Sequence, residues 1–309
     1  DSVYGLEHGR LHLRTPTPMW MNMGYWGDGK SPKTMAEACR DLLKAVLKEA
    51  GLPKVTERAG SAKSERRRRT LIDLGVGCGD QTIYLMSDNP VRPEDREFDH
   101  YVGMTKDLAQ SRYAKGAVDE LYLRGIEAGD DKILSAISLF CADATSPTSW
   151  DRQVKLSIDD GLKDSPECWM LALDTAYHFT PSRWPTIKHA YTHFRASFMA
   201  FDLCLSPTAT ATQKLVLRFL TALMGAPWAN FGTPEEYRQS LIDVGYSADA
   251  ITIVDISEHV FAPLASHLAD QDSALKKLGL SIGSFNVAKS LFGWWGRSGV
   301  VRGIIVVAR

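Results

Sequence analysis

Three glycines at alternate positions, Gly75, Gly77 and Gly79, follow the apolar run Leu71-Ile72-Asp73-Leu74. Glycines set between a strand and a helix let a ligand approach the backbone closely. A dinucleotide cradle needs G-x-G-x-x-G, and here Asp80 stands in the slot of the third glycine. A carboxylate at Asp73, two residues before the first glycine, opposes a pyrophosphate and suits a ligand carrying an ammonium group. About a hundred residues further on, Asp174-Thr-Ala-Tyr177-His178-Phe179 follows another apolar run. Histidine is the side chain best placed to take a proton near neutral pH, with an ordinary pKa of about 6.5. His178 is therefore the candidate base and Tyr177 a second proton-handling candidate. His189 and His193 lie four apart on the next helix without a third ligand in view, so no metal site is expected.

These residues need a scaffold that brings strand ends together. From Thr70 onward, short apolar runs alternate with helix-period segments. TLIDLG precedes a helix from about Asp80, and FDHYVGMT one from Lys106 to about Leu123. ISLFCADA leads to a weak helix after Pro147, CWMLALDTA to one after Pro181, and FMAFDLCLS to one after Thr208. AITIVDIS and VVRGIIVVAR read as two further strands. Alternation of this kind predicts an α/β fold, a mostly parallel sheet with helices on both faces. Ligands then bind beyond the carboxyl ends of the strands, where the residues above cluster. An amphipathic helix is expected from about Met35 to Ala50, and the basic run Arg66 to Arg69 is expected in a solvated loop.

The segment D-L-G-V-G-C-G after a strand resembles motif I of the class I S-adenosylmethionine-dependent methyltransferases. That resemblance implies a Rossmann-like sheet of seven strands, the last antiparallel, and S-adenosyl-L-methionine as cofactor, with S-adenosyl-L-homocysteine as product. It also implies that Gly75, Gly77 and Gly79 admit the cofactor, that Asp73 anchors its amino-acid end, and that Gln81 lies beside it. GMTKDLAQ is similar to a stretch of a narrower, small-molecule branch: tocopherol, sterol and phosphobase methyltransferases and cyclopropane-fatty-acid synthases. By that likeness Thr105 and Gln110 face the ribose and adenosine, with Lys106 where the branch has a small residue. CADATSPTSW resembles the third motif, in which Asp143 meets the adenine amino group and Ala144 a backbone contact. N-M-G-Y-W, Asn22 to Trp26, resembles a lead-in whose aromatics close over the cofactor, which nominates Tyr25 and Trp26. EEYRQSLIDVGY and the later Asp255 and Ser257 resemble the approach to the sixth strand. D-T-A-Y-H-F matches the pattern in which Asp174 floors the site and a histidine faces the acceptor.

The expected reaction is methyl transfer to a small, largely hydrophobic or aromatic metabolite at O, N or C, as in lipid or secondary metabolism. Two rivals stand beside it: a cyclase or rearrangement enzyme that uses only the sulfonium charge, and a non-catalytic, methyltransferase-like regulator. Two apolar insertions, about 207–232 and 258–298, are expected to cap the core at 70–309, and residues 1–69 to form a lid loop, a helix and the basic loop. Phe179, Trp228, Trp294 and Trp295 are the expected walls of the acceptor pocket, with the last two at an exposed tip where peripheral membrane contact is the lesser reading.

Composition narrows the partners. With 36 Lys and Arg against 37 Asp and Glu, the net charge of -1 lacks the field of a dedicated nucleic-acid binder. Five scattered cysteines without a CxxC suit reduced thiols, so a cytoplasmic location is expected, with a segment removed ahead of Asp1 left open. The sequence leaves the oligomeric state open.

Overall fold

The computed structural model describes residues 17–27, 32–52, 68–86, 97–127, 136–165 and 167–309. Seven strands form one sheet: β1 (Arg69–Leu74), β2 (His100–Thr105), β3 (Ile137–Cys141), β4 (Glu167–Leu173), β5 (Ser197–Leu205), β6 (Ile251–Asp255) and β7 (Val301–Ala308). Their order is β3-β2-β1-β4-β5-β7-β6, and β7 is antiparallel to both of its neighbours. Nearly every residue of β1, β2, β4, β5 and β7 is buried, as a sheet covered on both faces requires. The edge strands β3 and β6 carry the half-exposed patterns.

Nine α-helices lie among the described residues. They are α1 (Met35–Glu49), α2 (Asp80–Met86), α3 (Leu108–Glu127), α4 (Arg152–Asp164), α5 (Trp184–Phe194), α6 (Ala211–Leu223), α7 (Pro234–Val244), α8 (Phe261–Lys276) and α9 (Phe285–Ser298). Capping boxes start three of them: Thr34 with Glu37, Thr210 with Gln213, and Thr233 with Glu236. Each is the T-x-x-E/Q pattern that satisfies two otherwise orphaned N–H groups at a helix start. α1 buries Leu42, Leu43, Val46 and Leu47 and packs on β5 and β7.

Two expectations change. Arg69 is the first residue of β1 rather than the end of a solvated loop. Its guanidinium lies 3.0 Å from both Glu97 and Glu167, because a cation at a strand start is held by acids on the flanking chain. Arg66 and Arg67 lie outside the described residues, and Arg68 is exposed. The second correction concerns Trp294 and Trp295, which do not form an exposed tip. They belong to α9, where Trp295 is fully buried between Phe261 and Phe292, at ring-centroid distances of 5.4 and 5.5 Å. A Cβ on Gly296 would stand 2.9 Å from the Ala262 Cβ, so glycine lets α9 lie close on α8. No described helix is long and apolar enough to cross a membrane.

Candidate cofactor and acceptor site

The strand order reverses its winding between β1 and β4, and such switch points open a crevice at the carboxyl ends. A cavity of about 590 Å³ lies there, within the range of small-molecule sites. Its wall draws on the turn after β1 (Gly75 to Cys78, Asp80, Gln81), the ends of β2 and β3, the end of β4, and the start of the segment after α6. The sequence candidates Gly75, Gly77, Gln81, Thr105, Gln110, Asp143, Ala144, Asp174, His178 and Phe179 all line it.

The glycine turn has left-handed backbone at all three positions, with φ of 89° at Gly75, 57° at Gly77 and 92° at Gly79. Gly75 and Gly77 face the cavity; Gly79 does not. A Cβ on Gly79 would stand 3.0 Å from the Ala114 Cβ, so this glycine serves the approach of α3. Thr105 Oγ1 donates to Gln110 Oε1 at 2.9 Å, which joins the two residues expected on the adenosine side. The Asp143 carboxylate accepts from Thr145 N at 2.8 Å, and its carbonyl accepts from Trp150 Nε1 at 2.9 Å.

Asp73 is absent from the cavity wall. Its side chain is fully buried and already satisfied: Gln81 Nε2 donates to both carboxylate oxygens (2.8 and 2.7 Å), and Tyr101 Oη donates at 2.5 Å. Burial pushes its carboxyl up to about 7 despite those donors. Gln81 does line the cavity. The two bonds from Gln81 Nε2 hold that amide nitrogen on Asp73, so the amide oxygen of Gln81 takes no part in the pairing.

Asp174 faces the cavity directly. It follows β4 directly at φ 60°, a left-handed conformation that Asp tolerates better than most residues. Oδ2 accepts from Met23 N at 2.7 Å, Tyr177 is hydrogen-bonded to the same carboxyl, and Oδ1 is buried without a partner. Burial pushes this carboxyl up to about 8. Asp80, Asp107 and Asp143 also line the wall, against Lys106 as its lysine.

His178 sits on a single turn after β4. Its ring is hydrogen-bonded to the backbone of Gly225, and burial holds its pKa below the usual imidazole value. Tyr177 is not a second wall residue. It is buried behind His178, with ring centroids 4.3 Å apart, and burial holds its hydroxyl well above the usual phenol range, hence neutral.

Tyr25 and Trp26 turn away from the cavity. Their rings pack against His259 and His267, at centroid distances of 4.9 and 4.6 Å, and Trp26 Nε1 donates to Met23 O. They staple the N-terminal segment to α8 and its approach, while Met19, Trp20, Met21 and Asn22 cover the glycine turn. Met19 N is bonded to both Asp80 oxygens, and Met21 Sδ lies 3.2 Å from where a Gly77 Cβ would be. The apolar triplet Met19-Trp20-Met21 was the available sequence signal, overshadowed by the aromatic pair beyond it. Trp228 likewise misses the wall: it stacks on Phe231, and its neighbours Met224 and Gly225 line the cavity instead. His189 and His193 stack at 4.0 Å on α5, and no group of metal-ligating side chains occurs among the described residues.

No protein-family model and no curated protein matches the sequence. Solved structures do match. A mycolic acid cyclopropane synthase superposes over 99% of this chain and 100% of its own, with a TM-score of 0.58 and 12% identity. The [4+2]-cyclase SpnF covers 98% and 92%, with a TM-score of 0.57 and 16% identity. Geranyl diphosphate C-methyltransferase from Streptomyces coelicolor A3(2), in complex with Mg2+, geranyl diphosphate and S-adenosyl-L-homocysteine, covers 93% and 88%, with a TM-score of 0.51 and 15% identity. Together with the strand order, these likenesses define a Rossmann-like class I methyltransferase fold.

The wall's chemistry fits S-adenosylmethionine. The tight glycine turn, the unpartnered buried Oδ1 of Asp174 and the Gln81 side chain on the wall form a cation-accepting surface. An amino acid with an ammonium group and a sulfonium suits such a surface.

Proposed function

We propose that the protein transfers a methyl group from S-adenosyl-L-methionine to a small, largely hydrophobic or aromatic metabolite. The observation that carries this reading is the pairing, in one cavity, of the cation-accepting wall at Asp174 and Gln81 with the half-buried imidazole of His178. Bound there, the cofactor supplies an activated methyl group on a sulfonium. Gly75, Gly77, Gln81 and Asp174 would hold its amino-acid end, and Thr105, Gln110, Asp143 and Ala144 its adenosine. Met19 to Asn22 exclude water from above, which in-line displacement at carbon requires more than it requires new charge stabilisation. His178, kept neutral by burial and oriented by Gly225, accepts a proton from a hydroxyl or amine acceptor. Phe179, Leu173 and Met224 give that part of the wall its apolar character.

The likeness to SpnF favours a second reading, since the same fold serves a cyclase there. One experiment separates the two. The protein is incubated with methyl-deuterated S-adenosylmethionine and an organic extract of its source cells, and products are followed by mass spectrometry. A labelled product formed together with S-adenosylhomocysteine supports transfer. An unlabelled product formed with the cofactor intact supports rearrangement and overturns the first reading.

A further inference from the structure

We propose that Asn230 is a positioning residue for His178, locking the turn that presents the imidazole to the cavity. The inference deepens the proposed function and rests on its reading of His178 as the base.

The turn carrying His178 closes on itself through His178 N to Thr175 O (3.0 Å) and Phe179 N to Ala176 O (3.1 Å). The two carbonyls that flank His178, those of Tyr177 and Phe179, are both taken by one group: Asn230 Nδ2 donates to them at 3.0 and 2.9 Å. Both hydrogens of a primary amide are thereby spent on the backbone on either side of the imidazole. The amide is itself held from behind, because Asn230 Oδ1 accepts from Arg183 N at 2.9 Å and Asn230 O accepts from the Arg183 guanidinium. That guanidinium is completely buried, bonds Asp202 on β5 and lies 4.9 Å from the Tyr237 ring centroid. Tyr237 Oη closes the set on Asp202 Oδ2 at 2.9 Å.

Neither Asn230, Arg183 nor Asp202 lines the cavity, so none of them touches a ligand there. Asn230 nevertheless lies on the same short segment as Met224-Gly225-Ala226, six residues after Met224, and that segment grips His178 twice. Gly225 bonds the ring, and Asn230 bonds the backbone that bears it. Holding both ends of the side chain selects one imidazole tautomer and one ring orientation, which a base must have before its acceptor arrives. The charges acting on the ring are Lys106 from the end of β2 and Asp202 from β5.

The test needs neither acceptor nor turnover. The 309-residue protein, labelled with 15N-histidine and 15N-asparagine, is studied by long-range 1H–15N spectroscopy, with His178→Gln assigning the signal. Wild type should show one His178 tautomer, and both Asn230 side-chain amide protons should exchange slowly with solvent. Asn230→Asp and Asn230→Ser, checked for folding by circular dichroism, should show mixed tautomers. Their His178 titration should move up toward the ordinary value by about half a pH unit or more. S-adenosylhomocysteine affinity, measured by calorimetry, should change by less than about twofold in both, because Asn230 is outside the cavity wall. A variant that folds and keeps the wild-type tautomer and titration overturns the proposal. Should both variants fail to fold, fast exchange of the Asn230 amide protons in wild type, or two His178 tautomers there, overturns it equally. Failure of the parent reading looks different: His178→Gln retains methyl transfer, or wild type does not bind S-adenosylhomocysteine, while the spectra are unaffected.

Discussion

Replacing Asp73 with Asn should stabilise the protein at neutral pH and weaken its hold on the cofactor. The side chain is fully buried, and its carboxyl is pushed from the ordinary 3.8 to about 7, burial outweighing the bonds from Tyr101 and Gln81. The folded state keeps a proton there that the unfolded chain releases. Stability is therefore full below pH 3.8 and falls as the pH rises toward about 7. At about 1.36 kcal/mol per pH unit across that gap, the loss is about 4 kcal/mol. Asn carries no charge to bury, but its amide meets the donor nitrogen of Gln81, a mismatch worth about 1–2 kcal/mol unless Gln81 turns over. The net gain at pH 8 should be about 2–3 kcal/mol, or a rise of about 1 M in the urea midpoint. A turned Gln81 would offer the cavity a donor where the native side chain offers an acceptor. S-adenosylhomocysteine affinity, measured by calorimetry, should then fall about tenfold, equivalent to about 1.4 kcal/mol. Urea denaturation of both proteins at pH 5 and pH 8 decides the matter. A wild-type stability equal at pH 5 and pH 8, or a D73N protein less stable than wild type at pH 8, would refute this reasoning.

Three further outcomes follow from the same geometry. Asp174, pushed up to about 8 by burial, is protonated at neutral pH, and a ligand ammonium favours its ionised form. S-adenosylhomocysteine affinity should therefore rise between pH 6 and 8 with proton release, and a calorimetric series in buffers of different ionisation enthalpy would show whether D174N abolishes that release. Arg183→Met leaves Asp202 buried without its cation and should cost about 3–5 kcal/mol in urea unfolding, whereas R183M/D202L should recover most of the loss. Because burial holds His178 below the usual 6.5, kcat/KM with an identified acceptor should lose its acid limb only below that pH, and H178Q should lower kcat by about 10²-fold or more.

What the sequence made legible was local. The glycine turn, the strand that precedes it and the alternation of strands with helices are patterns within a dozen residues, and the structure reproduces them, with helix ends displaced by up to about four residues, as at Leu108–Glu127. Asp143, Thr105 and Gln110 reach the cavity wall because each ends or follows a parallel strand, and that edge is fixed by topology. Features set by distant pairs were invisible. Arg183, Asp202, Asn230 and Tyr237 come from four separate elements and share no period or spacing, so nothing in the chain announces that they meet. Aromatic residues misled for a related reason. Trp26, Trp228 and Trp295 resemble binding groups in a string of letters, yet packing against His267, Phe231 and Phe261 accounts for them.

The two acids of the site show why position in a motif does not settle position in space. Asp73 lies inside β1, one residue before its end, where a side chain still belongs to the packed sheet, and Tyr101 of the adjacent β2 closes on it. Asp174 lies one residue past the end of β4, where the backbone leaves the sheet in a left-handed conformation and carries the carboxylate into the crevice. That conformation costs about 1–2 kcal/mol for an L-residue, and burial of an unpartnered Oδ1 adds to the cost. Strain and an orphaned acceptor at one residue are tolerated where a ligand completes the environment. On the proposed reading, the direct partner of a bound ammonium would be Asp174, while Asp73 would act one step back by holding Gln81. This division makes the D73N and D174N proteins differ in kind. Loss of Asp174 should remove the proton linkage of binding, whereas loss of Asp73 should leave that linkage and lower the affinity at every pH.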